Sequence, residues 1–188
     1  MIAAEQVRIL RERITDEIFL ALGMSKTGVF RRSLGWLFHL PTQRFASIFS
    51  SADQAAREAG LYGAVLTESV GGSDMGYLAA TVIQEEMVRN DVRFSSCNNQ
   101  QGSTCPSCIY FGGTPEQIMK YVPNLLAGMT IGMMSLTESG GGSDAEGSMK
   151  TFARRDGDVY RLSGQKMWAS IANECDVGVL FAKTDRNA

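Results

Sequence analysis

The chain has 188 residues, 44% hydrophobic and 20% charged, with a formal net charge of −2. That balance suffices for a buried core, and without a basic run it lacks the footprint that nucleic-acid backbones select for. No apolar run approaches the roughly 18 residues of a membrane span, and Glu5, Arg8, Arg11, Glu12 and Arg13 interrupt any secretory segment, so a cytoplasmic protein is expected.

From Glu5 to Leu22 the apolar positions Leu10, Ile14, Ile18 and Leu22 fall four apart, and Gly23 follows, which predicts an amphipathic helix. The aromatic segment Phe30 to Pro41 lacks a charged face at helical spacing. It reads as an apolar connector under the helices rather than a membrane-lying element, with His39 an interior imidazole. Thr42 to Gly60 is a second helix, with Phe45, Ile48, Phe49, Ala52, Ala56 and Ala59 on one face. After a turn at Glu68 to Asp74, Met75, Leu78, Ala79, Val82, Ile83 and Met87 follow a 3.6-residue period and predict a third.

The cysteines stand at 97, 105, 108 and 175, too unevenly for a disulfide framework. Cys105-Pro106-Ser107-Cys108 has the redox dithiol spacing but follows no strand, and no second ligand pair completes a metal site. The pair reads as two small half-buried thiols at the head of a helix from Cys105 to Tyr110. Thr114-Pro115-Glu116-Gln117 then offers an N-cap hydroxyl, a first-turn proline and a capping-box glutamine. Ile118, Tyr121, Val122 and Leu125 supply the apolar face, Pro123 is predicted to kink or restart the helix, and Gly128 ends it.

At Thr130 the period changes. Ile131 to Leu136, Lys150 to Arg155 and Val159 to Leu162 are strand candidates, with a hairpin turn at Asp156-Gly157-Asp158. Ser163-Gly164 turns into Gln165 to Ile171, and Val177 to Ala182 reads as a buried strand. The fold class predicted is α+β. An N-terminal all-helical bundle over residues 1–129 is followed, over 130–188, by the first strands of a β-barrel-like domain that ends unfinished.

The stretch Thr137-Glu138-Ser139-Gly140-Gly141-Gly142-Ser143-Asp144 nearly repeats Thr67-Glu68-Ser69-Val70-Gly71-Gly72-Ser73-Asp74. The flanks argue against duplication, because a helical period follows Asp74 and none follows Asp144. Strand-end amides, the Thr137 hydroxyl, close-approach glycines, Trp168 and Ser170 suit a flat, polar-edged aromatic ligand better than a phosphate, which would want a helix start and a lysine. The other reading of the same residues is a glycine-rich connection between strands with a tryptophan in the core.

Leu136 to Asp144, then Gly157 to Trp168, then Ala182-Lys183-Thr184 resembles the flavin-binding signature of the acyl-CoA dehydrogenases. Gly112 to Gly128, and Glu68 to Gly72 leading into Glu85-Glu86, resemble earlier segments of that family, so the likeness runs in order from about residue 60 to the end. The resemblance implies FAD. Met134, Ser135, Leu136 and Thr137 would meet its pyrimidine end, with the Thr137 hydroxyl toward N1. Ser170 would stand near N5, Trp168 and Ala169 would flank the ring, and Gly142 and Ser143 would border the site, Ser143 also contacting the CoA thioester. Ser139 stands where the family has proline, and Ser170 where it has threonine.

The activity implied is α,β-dehydrogenation of an acyl-CoA, with an electron-transfer flavoprotein as acceptor and a homo-oligomeric assembly. The family's carboxylate base belongs to a C-terminal helical domain, so no catalytic residue is assigned here and these residues alone are expected to be inactive. Glu138 and Asp144 read as loop acceptors and caps. An acyl-CoA oxidase, a flavin monooxygenase, or a non-catalytic module lending half a flavin site remain alternatives.

Overall fold

The computed structural model describes residues 56–90, 99–172 and 175–185. The predicted helix over Leu10 to Leu22, the Phe30 to Pro41 segment and most of the Thr42 to Gly60 helix lie outside them; residues 56–58 of the last are helical. The chain divides into two compact units, Met1–Met129 and Thr130–Ala188, and mixes helix with sheet in an α+β arrangement.

In the first unit, helices α1 (Gly76–Asn90), α2 (Cys105–Gly112) and α3 (Pro115–Leu126) carry the core. Along α1, Ala79, Val82, Ile83 and Met87 are buried, a stripe at i, i+3, i+4 and i+8. Burying each large side chain contributes roughly 1.5–3 kcal/mol. That outweighs the modest helix propensity of valine and isoleucine, which costs at most about 0.7 kcal/mol per residue. A π-helical turn, Asn99–Thr104, leads into α2, where Cys105 and Ile109 face inward.

Helix α3 begins as its sequence prescribes. The Gln117 amide donates to Thr114 Oγ1 at 3.3 Å, and the Thr114 amide donates to Gln117 Oε1 at 2.9 Å, a reciprocal capping box. The helix runs on through Pro123 instead of restarting there. Proline removes one hydrogen bond and costs about 3 kcal/mol in a helix interior, but Val122, Leu125 and Leu126 around it are all buried and together offset that cost. At its end Gly128 donates to the Leu125 carbonyl and Met129 to the Asn124 carbonyl, the two bonds of a Schellman cap. Arg57 Nη1 donates to the Leu125 and Leu126 carbonyls at 2.6 Å each, and its guanidinium lies 4.2 Å from the Tyr62 ring centre.

In the second unit, β1 (Gly132–Ser135) pairs in parallel with β4 (Val177–Leu180), Gly132 opposite Val177 and Ser135 opposite Leu180. A parallel pair needs a long crossover. Here it contains a one-turn helix, α4 (Ala145–Ser148), and the antiparallel hairpin β2 (Phe152–Asp156) with β3 (Val159–Ser163). Gly157, φ 63°, stands first in the two-residue hairpin loop. The hairpin is tied to the segment after β4 by Ala153 donating to Lys183 and Lys183 donating to Thr151, at 2.8 and 2.9 Å.

Two sequence expectations change. The strand from Val177 is not buried: its residues alternate between half-buried and exposed, because among the described residues it has β1 as its one strand neighbour. A short helix does follow Asp144, whose carboxylate accepts the Gly147 amide at 3.1 Å while Ser148 Oγ donates to the Asp144 carbonyl. Four residues are too few to show a period, so the cap was the legible signal. Among the described residues, no helix is long and apolar enough to cross a membrane.

Candidate functional site

Strand β1 delivers Met134 and Ser135 and then releases the chain into Leu136 and Thr137. Its start is clamped: the Ile131 amide donates to Asp176 Oδ2 at 2.8 Å, and the Asp176 and Val177 amides both donate to the Ile131 carbonyl. Its end is held by the Phe181 amide, which donates to the buried Ser135 at its carbonyl, 3.1 Å away. With both ends of β1 paired to β4, Met134 to Thr137 emerge from a fixed strand and not from a free loop.

Beyond Thr137 the chain makes a tight turn, with Gly141 donating to the Glu138 carbonyl at 3.2 Å. The Glu138 side chain points inward. Its Oε2 accepts the Lys150 amide at 2.7 Å, its Oε1 accepts the Thr151 amide at 2.9 Å, and Lys166 Nζ donates to Oε1 at 2.8 Å. Lys166 also donates to the Leu136 carbonyl at 2.9 Å. The Lys166 ammonium, then the neighbouring Thr151 hydroxyl and the Lys150 amide, hold the Glu138 carboxyl down to about 2 from its ordinary 4.5. The Thr151 hydroxyl acts by proximity, since it is buried and makes no hydrogen bond of good geometry. Glu138 and Asp144 thus serve as an acceptor and a cap. The partnership of Glu138 with Lys166 went unread in the sequence, where the visible signal was a lone lysine two residues before Trp168.

The segment 165–169 has no regular structure. It is stitched to the strand end by Met167, whose amide donates to the Thr137 carbonyl at 2.8 Å. That bond brings Thr137 and Trp168 into one neighbourhood. Trp168 is 82% exposed, with φ 59°, and Ile171 has φ 63°. A bulky residue in the left-handed region is strained, and such strain is retained where surrounding contacts dictate it, often at ligand sites. The Trp168 ring takes no part in the core of the described residues. Ala169 is half-buried and Ser170 exposed on the same segment, while Gly142 and Ser143 lie exposed on the far side of the turn.

The arrangement suits a flat aromatic ligand: an open ring face at Trp168, the Thr137 and Ser170 hydroxyls, and strand-end backbone at Met134 to Leu136. Concavities lie away from these residues. An apolar groove of about 830 Å³ lies between α1 and α2, bordered by Tyr77, Val88 and Phe111. One of about 640 Å³ on the hairpin is lined by Lys150, Arg154, Arg161 and Lys183. Neither contains a residue assigned above to the flavin.

The cysteine pair is of the other kind. Cys105 is fully buried and Cys108 half-buried, and burial pushes the Cys108 thiol up, away from the thiolate form that redox chemistry uses. Among the described residues, no group of three or more histidine, cysteine or acidic side chains could hold a metal ion.

Comparison with known proteins identifies the family. Residues 45–129 match the family model for the acyl-CoA dehydrogenase N-terminal domain, and residues 133–188 that for the middle domain. The chain is 34% identical over 128 residues to a mitochondrial 2-methylacyl-CoA dehydrogenase of Solanum tuberosum, covering 68% of this chain and 31% of that protein. It is 37% identical over 130 residues to the caffeyl-CoA reductase-Etf complex subunit CarC of Acetobacterium woodii, covering 67% and 33%. The chain therefore spans about a third of the length of these curated relatives. Among solved structures, the glutaryl-CoA dehydrogenase of Mycobacterium smegmatis in complex with FADH2 superposes with a TM-score of 0.75 at 29% identity, over 93% of this chain and 42% of that one. Two consecutive domain matches in the family's own order, with relatives and solved structures that agree, establish that the chain belongs to the acyl-CoA dehydrogenase family.

Proposed function

We propose that this chain supplies one wall of the flavin site of an FAD-dependent acyl-CoA dehydrogenase, which forms an α,β double bond in an acyl-CoA thioester. The observation that carries the reading is Trp168, exposed on strained backbone and joined through Met167 to Thr137 at the end of β1. The FADH2 held by the matched Mycobacterium smegmatis protein supports it.

When bound, FAD supplies the hydride acceptor. This chain's residues bind and orient it. The Thr137 hydroxyl would donate on the N1 side and the Ser170 hydroxyl would serve the N5 side, donors that would favour the reduced form of the group. Trp168 covers the ring and excludes water, Met134 to Leu136 offer backbone to the pyrimidine edge, Ala169 and Gly142 border the site, and Ser143 meets the CoA thioester. Glu138 and Asp144 are engaged as acceptor and cap, so neither is free to remove a proton. The α-proton is therefore assigned to a carboxylate other than these two. An electron-transfer flavoprotein would be the electron acceptor, a partnership supported by the name of the Acetobacterium woodii relative. Assembly as a homo-oligomer completes the proposal.

The test is anaerobic titration of the flavin-loaded protein with acyl-CoA esters. Bleaching of the flavin without oxygen uptake is the result expected, and a purified protein that retains no flavin overturns the reading. Reoxidation of the bleached flavin by oxygen at catalytic rates would replace dehydrogenase with oxidase. Trp168→Ala should weaken FAD binding about tenfold, equivalent to roughly 1.4 kcal/mol.

A further inference from the structure

We infer that Lys166 and Glu138 form a neutral positioning pair that sets Thr137 against Trp168 and keeps an unbalanced charge from biasing the flavin's reduction potential. The inference rests on the flavin reading above and adds to it a role for two side chains that this reading leaves unused.

The geometry is dense. Lys166 and Met167 are consecutive, and they bind three consecutive residues opposite. Lys166 Nζ reaches the Leu136 carbonyl and Glu138 Oε1, at 2.9 and 2.8 Å, while the Met167 amide reaches the Thr137 carbonyl at 2.8 Å. Thr137, assigned to the N1 side, and Trp168, assigned to the ring face, both adjoin this stitch. Glu138 also receives the Lys150 and Thr151 amides, so it anchors the turn to the start of β2 as well. Twenty-eight residues separate the two partners, so the contact is tertiary.

The charges are largely withdrawn from water, the Lys166 side chain being 6% exposed and the Glu138 side chain 8%. A buried ion pair is a weak source of stability compared with an apolar pair of the same shape, and its better-attested use is to fix a unique geometry. Here the fixed geometry is the strand end that faces the pyrimidine edge. An ammonium bonded to the peptide immediately before Thr137 would favour a negatively charged reduced flavin if nothing balanced it. Glu138 balances it.

Opposite single charge deletions should therefore move the potential in opposite directions, which a merely structural role would not do. In the flavin-loaded protein, Glu138→Gln leaves the ammonium unbalanced and raises the midpoint by at least a tenfold change in equilibrium, about 30 mV for a two-electron couple. Lys166→Met leaves the carboxylate unbalanced and lowers it by a similar amount. The double variant returns to within that margin of the unaltered protein, and Lys166→Arg, which keeps the charge, stays there. Unshifted single variants, or two shifts of the same sign, overturn the pair's role while leaving the flavin reading intact; an unaltered protein without flavin overturns both.

A single variant that cannot retain flavin is measured flavin-free in a Trp36→Phe background, where Trp168 is the remaining tryptophan. Its emission anisotropy should fall in each single variant and be preserved in Lys166→Arg. Unchanged anisotropy in the single variants overturns the positioning role.

Discussion

Gly164 connects β3 to the segment that carries Trp168, and replacing it with alanine tests whether that segment is held as tightly as described. Its φ of 146° lies where L-residues are strained, and a Cβ there would sit 2.5 Å from Thr151 Oγ1 and 2.6 Å from Thr151 Cα. The obstacle is backbone, and it cannot yield easily: the Thr151 amide is bonded to Glu138 Oε1 and its carbonyl to the Lys183 amide. Backbone strain of about 1–3 kcal/mol and overpacking of about 1–3 kcal/mol add to roughly 2–6 kcal/mol. At about 2–4 °C per kcal/mol for a domain of this size, thermal unfolding monitored by circular dichroism should shift down by roughly 5–20 °C. Gly157→Ala is the matched control. It has φ 63° but nothing within 4 Å of its Cβ, so it carries strain alone, about 1–2 kcal/mol. A Gly164→Ala variant no less stable than Gly157→Ala would refute the account of the turn.

Thr114→Ala removes the capping hydroxyl of α3 and should cost about 1 kcal/mol in urea unfolding. Leu125→Ala, at a side chain with no exposure, should cost about 2–5 kcal/mol. Met119→Ala on the same helix, 58% exposed, should stay within about 0.5 kcal/mol. The Glu138 carboxyl, held down to about 2 from 4.5, contributes stability that is complete above its ordinary value and is lost as pH falls from about 4.5 toward 2. Unfolding midpoints across that window should fall more steeply for the unaltered protein than for Glu138→Gln.

Where structure follows from neighbours a few residues away, the sequence was readable. The α1 stripe, the capping box at Thr114 and the two-residue hairpin at Gly157 each depend on local spacing. Pro123 reads as kinking or restarting α3, and the helix does not restart there because Val122, Leu125 and Leu126 are buried around it, which the local pattern does not disclose. The apolar run from Val177 reads as buried because composition does not distinguish a covered strand from one with a single paired neighbour. At the candidate site, residue types were legible but the pairing of Lys166 with Glu138 was not. Nothing in either sequence neighbourhood points to the other.

The two near-identical loops show the same limit most directly. In the first, Gly72 donates to the Thr67 carbonyl, Gly71 to the Glu68 carbonyl, and Asp74 to the Leu66 carbonyl, so the turn folds back on the residues before it. Gly72 is pressed there, its hypothetical Cβ 2.1 Å from the Leu66 oxygen, and the Glu68 side chain stays exposed. In the second, Glu138 turns inward to Lys150, Thr151 and Lys166, while Gly142, the counterpart of Gly72, has open space around its Cβ position. The difference comes from what each loop meets: the first packs on its own preceding residues, the second finds a β2 start with free amides and a buried ammonium. An acid given such partners becomes a structural anchor; Gly142 is left open, while Gly141 is pressed against Ser148, its hypothetical Cβ 1.8 Å from Oγ. Both loops lead into a helix, Gly76–Asn90 after the first and the single turn Ala145–Ser148 after the second, so the same eight-residue pattern reaches different side-chain partners from a shared role.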